Sequence, residues 1–477
     1  MKPNSFLQVR QNYVRVGTQL RDWFLAVLTM TLRASLLREL VNSNLDVGGR
    51  AELCCKLSKE FENKGDYEEA REMLSGLWPH VAQRPRVKGL EPDIAAEVLL
   101  RAGVLTGWIT IAQEQAKDFL SESLTIFESR KYKKKIAEAQ TELALCYIRT
   151  GEYDNASDLL KLALAELTMD SELKAKAVLR SGIVKRHARL LNEALTYLTN
   201  NGRLFDKINS PLLKGCYHQT LGDVLLEVCE SNRPGDYLDR AFLEYTAASY
   251  HFEQAEHRRY LANVENNLGF LYLEINCCKE AHEHLNRARR ILTCLKDRIT
   301  LAQVDETRAR VFLKEKRDAE AEKAARSSVR TLESSDRPSL LAEALKRHGM
   351  ALARLGHYSS ALNAFRRAID LSQDSFNRAA DIALTAFQEL GDRLAVKEEI
   401  TTSGRPLNEE IFLLEHSLIK HALENAHGRV TFAARTLGMS YQRLTHKLQT
   451  KHKDLLKDRS PLRPRKYHLP QKGTKST

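Results

Sequence analysis

The chain reads as an all-α protein: a run of stacked helical hairpins followed by a small, basic helical domain. Three observations predict this. Gly (22) and Pro (11) are sparse for 477 residues, and helix-forming Ala, Leu, Glu, Lys and Arg dominate. A single alanine recurs at positions 116, 156, 194, 241, 281, 321 and 361, at intervals of 40, 38, 47, 40, 40 and 40. Finally, the charge is uneven. Residues 427–477 hold 13 Lys+Arg and two Asp, net +11, out of +12 for the whole chain. A polyanion would dock where that excess gathers.

The N-terminal segment, residues 1–50, contains an apolar run from Trp23 to Leu32. It is much shorter than the ~20 residues that span a bilayer. Arg21, Asp22 and Arg33 flank it, and the helical period continues to Leu40, so an amphipathic helix is expected and a membrane is not. The eight cysteines (54, 55, 146, 216, 229, 277, 278 and 294) form no Cys-x-x-Cys pair. Reduced thiols in a cytoplasmic protein are the expectation.

Residues 51–394 carry the repeats, about eight hairpins and a capping helix at Ala379–Leu390. Ala144-x2-Tyr147-x3-Gly151-Glu152-Tyr153-x2-Ala156-x6-Ala163 sets the register. It returns as Leu268-Gly269-x2-Tyr272-x8-Ala281-x6-Ala288 and as Gly349-x2-Leu352-x3-Gly356-x-Tyr358-x2-Ala361-x3-Phe365-x2-Ala368. A small residue on a first helix, with Ala twelve and nineteen positions later, lets the helices of a hairpin and its neighbour approach closely. The one long interval coincides with the turn-forming stretch Ser231–Tyr237. These positions resemble tetratricopeptide repeats. Six residues beyond the usual period of 34 lengthen each helix by less than a turn. The resemblance implies a solenoid that docks a protein or peptide on its concave face.

Residues 395–407, with Thr, Ser, Gly and Pro in succession, are expected to be a linker. Asn408 is placed to cap a helix beginning Glu409-Glu410. Its apolar positions Ile411, Phe412, Leu414, Leu418, Ile419, Ala422 and Leu423 exceed what a small core needs, making helix 409–426 a candidate face for a homodimer. Within 408–456, Ala433, Ala434 and Leu437 share one face of a short helix. Gly438 supplies a left-handed turn. Ser440 caps a second helix, to whose core face Met439 and Leu444 contribute. Tyr441, Gln442, Arg443, Thr445, His446 and Lys447 are expected to face outward. This is a helix-turn-helix, whose second helix enters the major groove of double-stranded DNA.

Residues 411–448 resemble the Fis-type DNA-binding domain. Matching positions are Glu415, Leu418-Ile419, Ala422-Leu423, Gly428, Ala433-Ala434, Leu437-Gly438, Ser440, Leu444 and Lys447-Leu448. The resemblance implies a dimeric domain reading DNA through its last helix. Arg429, Tyr441, Arg443 and His446 depart from the family's usual residues, so the base sequence read need not be the family's. Arg443 is suited to guanine and Gln442 to adenine. Arg429, Thr431 and Arg435 suit phosphates. The tail, 457–477, is basic and Pro-containing and is expected to be disordered.

Catalytic signatures are lacking. No Gly-Lys dipeptide occurs, so there is no phosphate-binding Gly-x4-Gly-Lys loop. His282-Glu283-His284 lacks the spacing of a zinc-binding helix, and no cofactor is expected. A sequence-specific transcription regulator is the first expectation. The alternative is a non-enzymatic interaction scaffold with a basic, nucleic-acid-associating tail.

Overall fold

The computed structural model describes residues 45–372 (without 82, 111, 233–235 and 336), six residues between 381 and 390, and residues 407–458 without 438. The expected N-terminal helix at 23–40, most of the linker, the tail beyond 458 and Gly438 lie outside the described residues. Two compact units divide the chain, residues 1–264 and 265–477. Among the described residues every regular element is helical.

Eight helical hairpins are described. They pair α1 (Val47–Lys64) with α2 (Tyr67–Met73), α3 (Pro92–Ile109) with α4 (Gln113–Ser129), and α5 (Lys133–Thr150) with α6 (Tyr153–Glu166). Next come α7 (Glu172–His187) with α8 (Leu191–Asn200) and the short α9 (Gly202–Lys207), then α10 (Pro211–Asn232) with α11 (Asp236–Gln254). The last three pairs are α12 (Arg258–Glu274) with α13 (Cys278–Cys294), α14 (Arg298–Lys314) with α15 (Asp318–Leu332), and α16 (Pro338–Arg354) with α17 (Tyr358–Asp370). Beyond them, the described residues at 381–382, 385–386 and 389–390 are helical, and Ile382, Ala386 and Leu390 join the core of the final hairpin.

The recurring alanines are the tightest points. Ala116, Ala156, Ala194, Ala241, Ala281, Ala321 and Ala361 have no exposed surface. The small first-helix residues face them for the same reason. A Cβ added to Gly269 would lie 2.6 Å from Cγ of Leu285, and one on Gly349 would lie 2.9 Å from the Phe365 ring. No side chain larger than hydrogen fits there without displacing the opposing Leu285 or Phe365 side chain.

First and second helices differ in burial. α13 buries one stripe, Ala281, Leu285, Ala288 and Leu292, as an amphipathic helix on a surface does. α5 buries an unbroken run from Ala137 to Ala144, polar Glu138, Gln140, Thr141 and Glu142 included. It has packed helices on more than one side, and its polar groups need partners there. Arg101 supplies one: it donates to Glu138 at 2.8 Å and to Glu62 at 2.7 Å, while Arg180 donates to Glu142 at 2.7 Å.

Many of the turns, within hairpins and between them, share one geometry. Gly65, Gly151 and Gly356 adopt positive φ, and their N–H groups close the preceding helix. Lys131, Arg189, Glu256, Asn276, Lys296 and Lys316 take the same conformation without glycine. Packing of the two helices therefore outweighs a local strain of about 1–2 kcal/mol per residue. This is why a Gly-x-Tyr motif marks only some of the turns in the sequence.

The expected insertion at Ser231–Tyr237 is a smaller interruption than its composition suggests. α10 runs on to Asn232, making 22 residues, and α11 starts at Asp236. Much of the added length is helix. Within the first unit, the first hairpin also meets the turn before α12. Lys64 lies 3.8 Å from Glu256, Tyr67 stacks on Trp108 at 4.9 Å, and Tyr260 stands 6.3 Å from Trp108. These rings border a cavity of about 280 Å³, which Leu179, Ile183 and Leu213 also line.

Candidate nucleic-acid interface

Three helices and a 3-10 turn form the C-terminal domain: α18 (Leu407–Asn425), α19 (Val430–Thr436), α20 (Tyr441–Thr450) and Lys453–Asp458. α18 is already helical at Leu407, so Asn408 sits in its first turn rather than capping it. Ile419, Ala422, Leu423, Val430, Ala433, Ala434, Leu437, Leu444, Leu448 and Leu455 make one apolar cluster, with Met439 at its edge. At ten buried residues it is a small core, and small residues at 433 and 434 let α19 lie close to its neighbours.

The chain reverses direction between α18 and α19 through two successive left-handed residues, His427 (φ 48°) and Gly428 (φ 73°). Gly428 is buried and donates to Leu423 O at 2.8 Å. Between α19 and α20, Met439 N–H donates to Ala434 O at 3.0 Å. Ser440 then caps α20, its hydroxyl accepting from Arg443 N–H at 3.2 Å.

α20 buries Leu444 and Leu448 alone. Tyr441, Gln442, Arg443 and His446 are exposed on it, as are Ser440 at its start and Arg429, Thr431 and Arg435 around α19. The other two expected outward residues turn inward. Thr445 is half-buried, and its hydroxyl has no hydrogen-bond partner among the described residues. Lys447 is half-buried and forms an ion pair with Glu415 of α18.

Glu415 was not legible as an anchor, because its partners lie more than 30 residues away and share no local pattern with it. It is buried, receives Lys447, and lies 3.3 Å from His452 Nε2. Burial opposes its charge, but Lys447 and His452 outweigh burial and lower its pKa. His452 is buried and stacks on Phe412 at 4.7 Å, and burial lowers its own pKa despite Glu415. His416 pairs with Asp454 at 2.5 Å. These contacts tie α20 and the 3-10 turn to α18 and hold the exposed face at a fixed angle.

A second feature had no sequence signal. Phe432 is 52% exposed, and the Arg429 guanidinium lies 5.6 Å from its ring centre. Stacking holds Arg429 in place while leaving its N–H groups to solvent.

Metal chemistry gains no support from the remaining clusters. His282 pairs with Glu315 at 3.0 Å and His284 with Glu265 at 2.8 Å, so the two rings turn to different carboxylates. Among the described residues, no group of three metal-ligating side chains converges. No helix among them is long and apolar enough to cross a membrane.

The Fis family of bacterial regulatory proteins matches residues 413–450, and the tetratricopeptide repeat matches residues 51–75 and 342–375. No curated protein matches the chain. Among solved structures, a Rap protein complexed with competence and sporulation factor is similar at a TM-score of 0.51 and 14% identity, covering 77% of this chain and 99% of that one. The apo form of the quorum sensor NprR from B. thuringiensis is similar at a TM-score of 0.51 and 13% identity, covering 75% of this chain and 99% of that one. Likeness at such identity bears on the fold, and both structures share the helical-repeat architecture. The chain thus carries tetratricopeptide repeats and, at residues 413–450, a helix-turn-helix domain of the Fis type.

Proposed function

We propose that this protein is a sequence-specific DNA-binding transcription regulator whose repeats bind a protein or peptide partner, and that it acts by binding rather than by catalysis. The observation that carries the reading is α20: a helix capped by Ser440, anchored by two leucines and presenting Tyr441, Gln442, Arg443 and His446 to solvent. Arg443 and Gln442 would read guanine and adenine. Arg429, Thr431 and Arg435 would hold phosphates. Lys447 would act through Glu415, orienting the helix rather than touching DNA.

We assign the repeats to 51–394, the linker to 395–407 and the DNA-binding domain to 408–456. Phe412 (37% exposed) and Leu413 (39%) support pairing of helix 409–426 with a second copy. Sedimentation of the full chain tests that pairing: a monomer at all concentrations, with and without DNA, removes it. For the partner, the aromatic cavity of the first unit would seat an apolar side chain. The Rap structure contains competence and sporulation factor, which is a precedent for such a fold holding a ligand.

Selection of bound duplexes from a random pool by the full chain tests the reading. An enriched motif is expected. Arg443→Ala should weaken binding to it by ~1–3 kcal/mol and relax a single base position. Binding that falls steeply with salt and enriches no motif would reduce the C-terminus to a basic tail and favour the scaffold.

A further inference from the structure

A cavity in the first unit and a cleft in the second differ in how their cations are neutralised. Around the first unit's cavity, Lys176 and Arg180 share Glu142 at 2.8 and 2.7 Å, and Arg186 pairs with Asp223 and Glu227. That cavity is internally neutralised. The second unit holds a cleft of about 400 Å³ where neutralisation is incomplete. Arg310, Lys314, Lys316, Arg347 and Arg354 line it against a single acid, Glu274, above a floor that includes Leu313 and Met350.

The repeat builds this crowding. Glu274, Lys314 and Arg354 stand 40 residues apart, at one register position on the successive first helices α12, α14 and α16. Stacked hairpins bring such positions together. Two of the cations are satisfied: Arg347 donates to Glu306 at 2.8 Å, and Arg354 to Glu389 at 3.0 Å and to Leu313 O at 2.7 Å. Arg310 is not. It lies 4.4 Å from the Phe270 ring centre, and among the described residues the only carboxylate within 4 Å is that of Glu274, at 3.8 Å, too far for a hydrogen bond. Burial lowers its pKa and Arg347 lowers it further, with Glu306 and Glu274 only partly offsetting them. Lys314 and Lys316 are exposed and have no ion-pair partner among the described residues.

A half-buried guanidinium without a hydrogen-bond acceptor among the described residues, inside a ring of like charge, is unfavourable for the empty fold. It becomes favourable when an anion fills the cleft. We propose that this cleft is a binding site for an anionic group, a phosphate or a carboxylate, gripped by Arg310 and steered by Lys314 and Lys316. Arg347 and Arg354, already held by carboxylates, form its walls. The site is independent of the DNA-reading helix and of the first unit's cavity, and its test involves neither.

Titration calorimetry of the full chain in chloride buffer, with inorganic phosphate and separately with succinate, tests this. The basic tail is present in every variant, so differences between variants report the cleft. Arg310→Gln should weaken binding about tenfold or more, the loss of one charge-assisted donor pair. The double variant Lys314→Gln/Lys316→Gln, on exposed positions, should weaken it by a smaller factor without disturbing the fold. A melting temperature for Arg310→Gln equal to or above that of the parent would fit a cation kept for a ligand rather than for packing. Binding of phosphate alone would identify a phosphorylated ligand, and of succinate alone an acidic one; either supports the site. If neither anion binds the parent more tightly than both variants, the proposal fails, whatever the melting temperatures do.

Discussion

The repeat hairpins and the C-terminal domain are built from similar short helices but spend their surfaces differently. α5 buries residues around most of its circumference, and even its glutamates find partners inside. α20 buries Leu444 and Leu448 and leaves most of its remaining side chains in water. A first helix such as α5 is covered on several sides by neighbours of the same kind, so its sequence serves packing. A reading helix must keep a face uncovered until its ligand arrives. Its orientation therefore rests on few contacts, chiefly the two leucines, the Ser440 cap and the pair Lys447–Glu415.

That contrast can be broken by experiment, beginning where the effect should be greatest. Leu444→Ala removes a fully buried side chain from a ten-residue cluster and should destabilise the C-terminal domain by ~2–5 kcal/mol. Hydrogen exchange should then show faster amides in α18–α20 and unchanged amides in α14. Equal acceleration in both would mean that the domain and the repeats unfold together. Gly269→Val, directed at the contact with Leu285, should cost about 1–3 kcal/mol by overpacking. Chemical denaturation followed by circular dichroism measures it, and an unchanged midpoint would show that the hairpin can open without penalty. Ser440→Ala is the mildest change at the reading helix, at ~1 kcal/mol for one lost cap. It should lower DNA affinity without altering the motif selected; an altered motif would make Ser440 a base reader.

Acid should sharpen the comparison further. Burial would raise the Glu138 carboxyl, but Arg101, Lys59 and Lys135 together outweigh it and hold its pKa at about 2. A carboxylate with a depressed folded pKa stabilises the fold above its unfolded value of about 4.3. That stabilisation is lost as pH falls toward about 2. The denaturation midpoints of the parent and Glu138→Gln should therefore differ at pH 6 and converge between pH 4 and 2.5. A gap that stays constant over that range would place the contribution of Glu138 elsewhere than in its charge.

Much of this was legible beforehand. A repeated alanine at a fixed interval can mean little other than repeated close contact, and all seven are completely buried. Gly428, Ser440 and the leucines of the C-terminal domain follow local rules of turns, caps and periodicity, which a linear sequence displays. The cation cleft was half legible: the 40-residue spacing of Glu274, Lys314 and Arg354 is written in the chain, yet nothing there says which cations keep an acceptor.

By itself, then, the sequence determined the helical class, the hairpin register, the basic C-terminus and the helix-turn-helix pattern. Each of these depends on residues within one or two turns of each other, or on a period repeated many times. Only the tertiary structure decided that Lys447 and Thr445 turn inward while Arg443 and His446 do not, and that Arg310, unlike Arg180, has no acceptor among the described residues. For Lys447, Arg180 and Arg310 the outcome depends on which carboxylate lies within about 3 Å after folding. The partners involved are separated by tens of residues, a distance at which side-chain type no longer predicts contact.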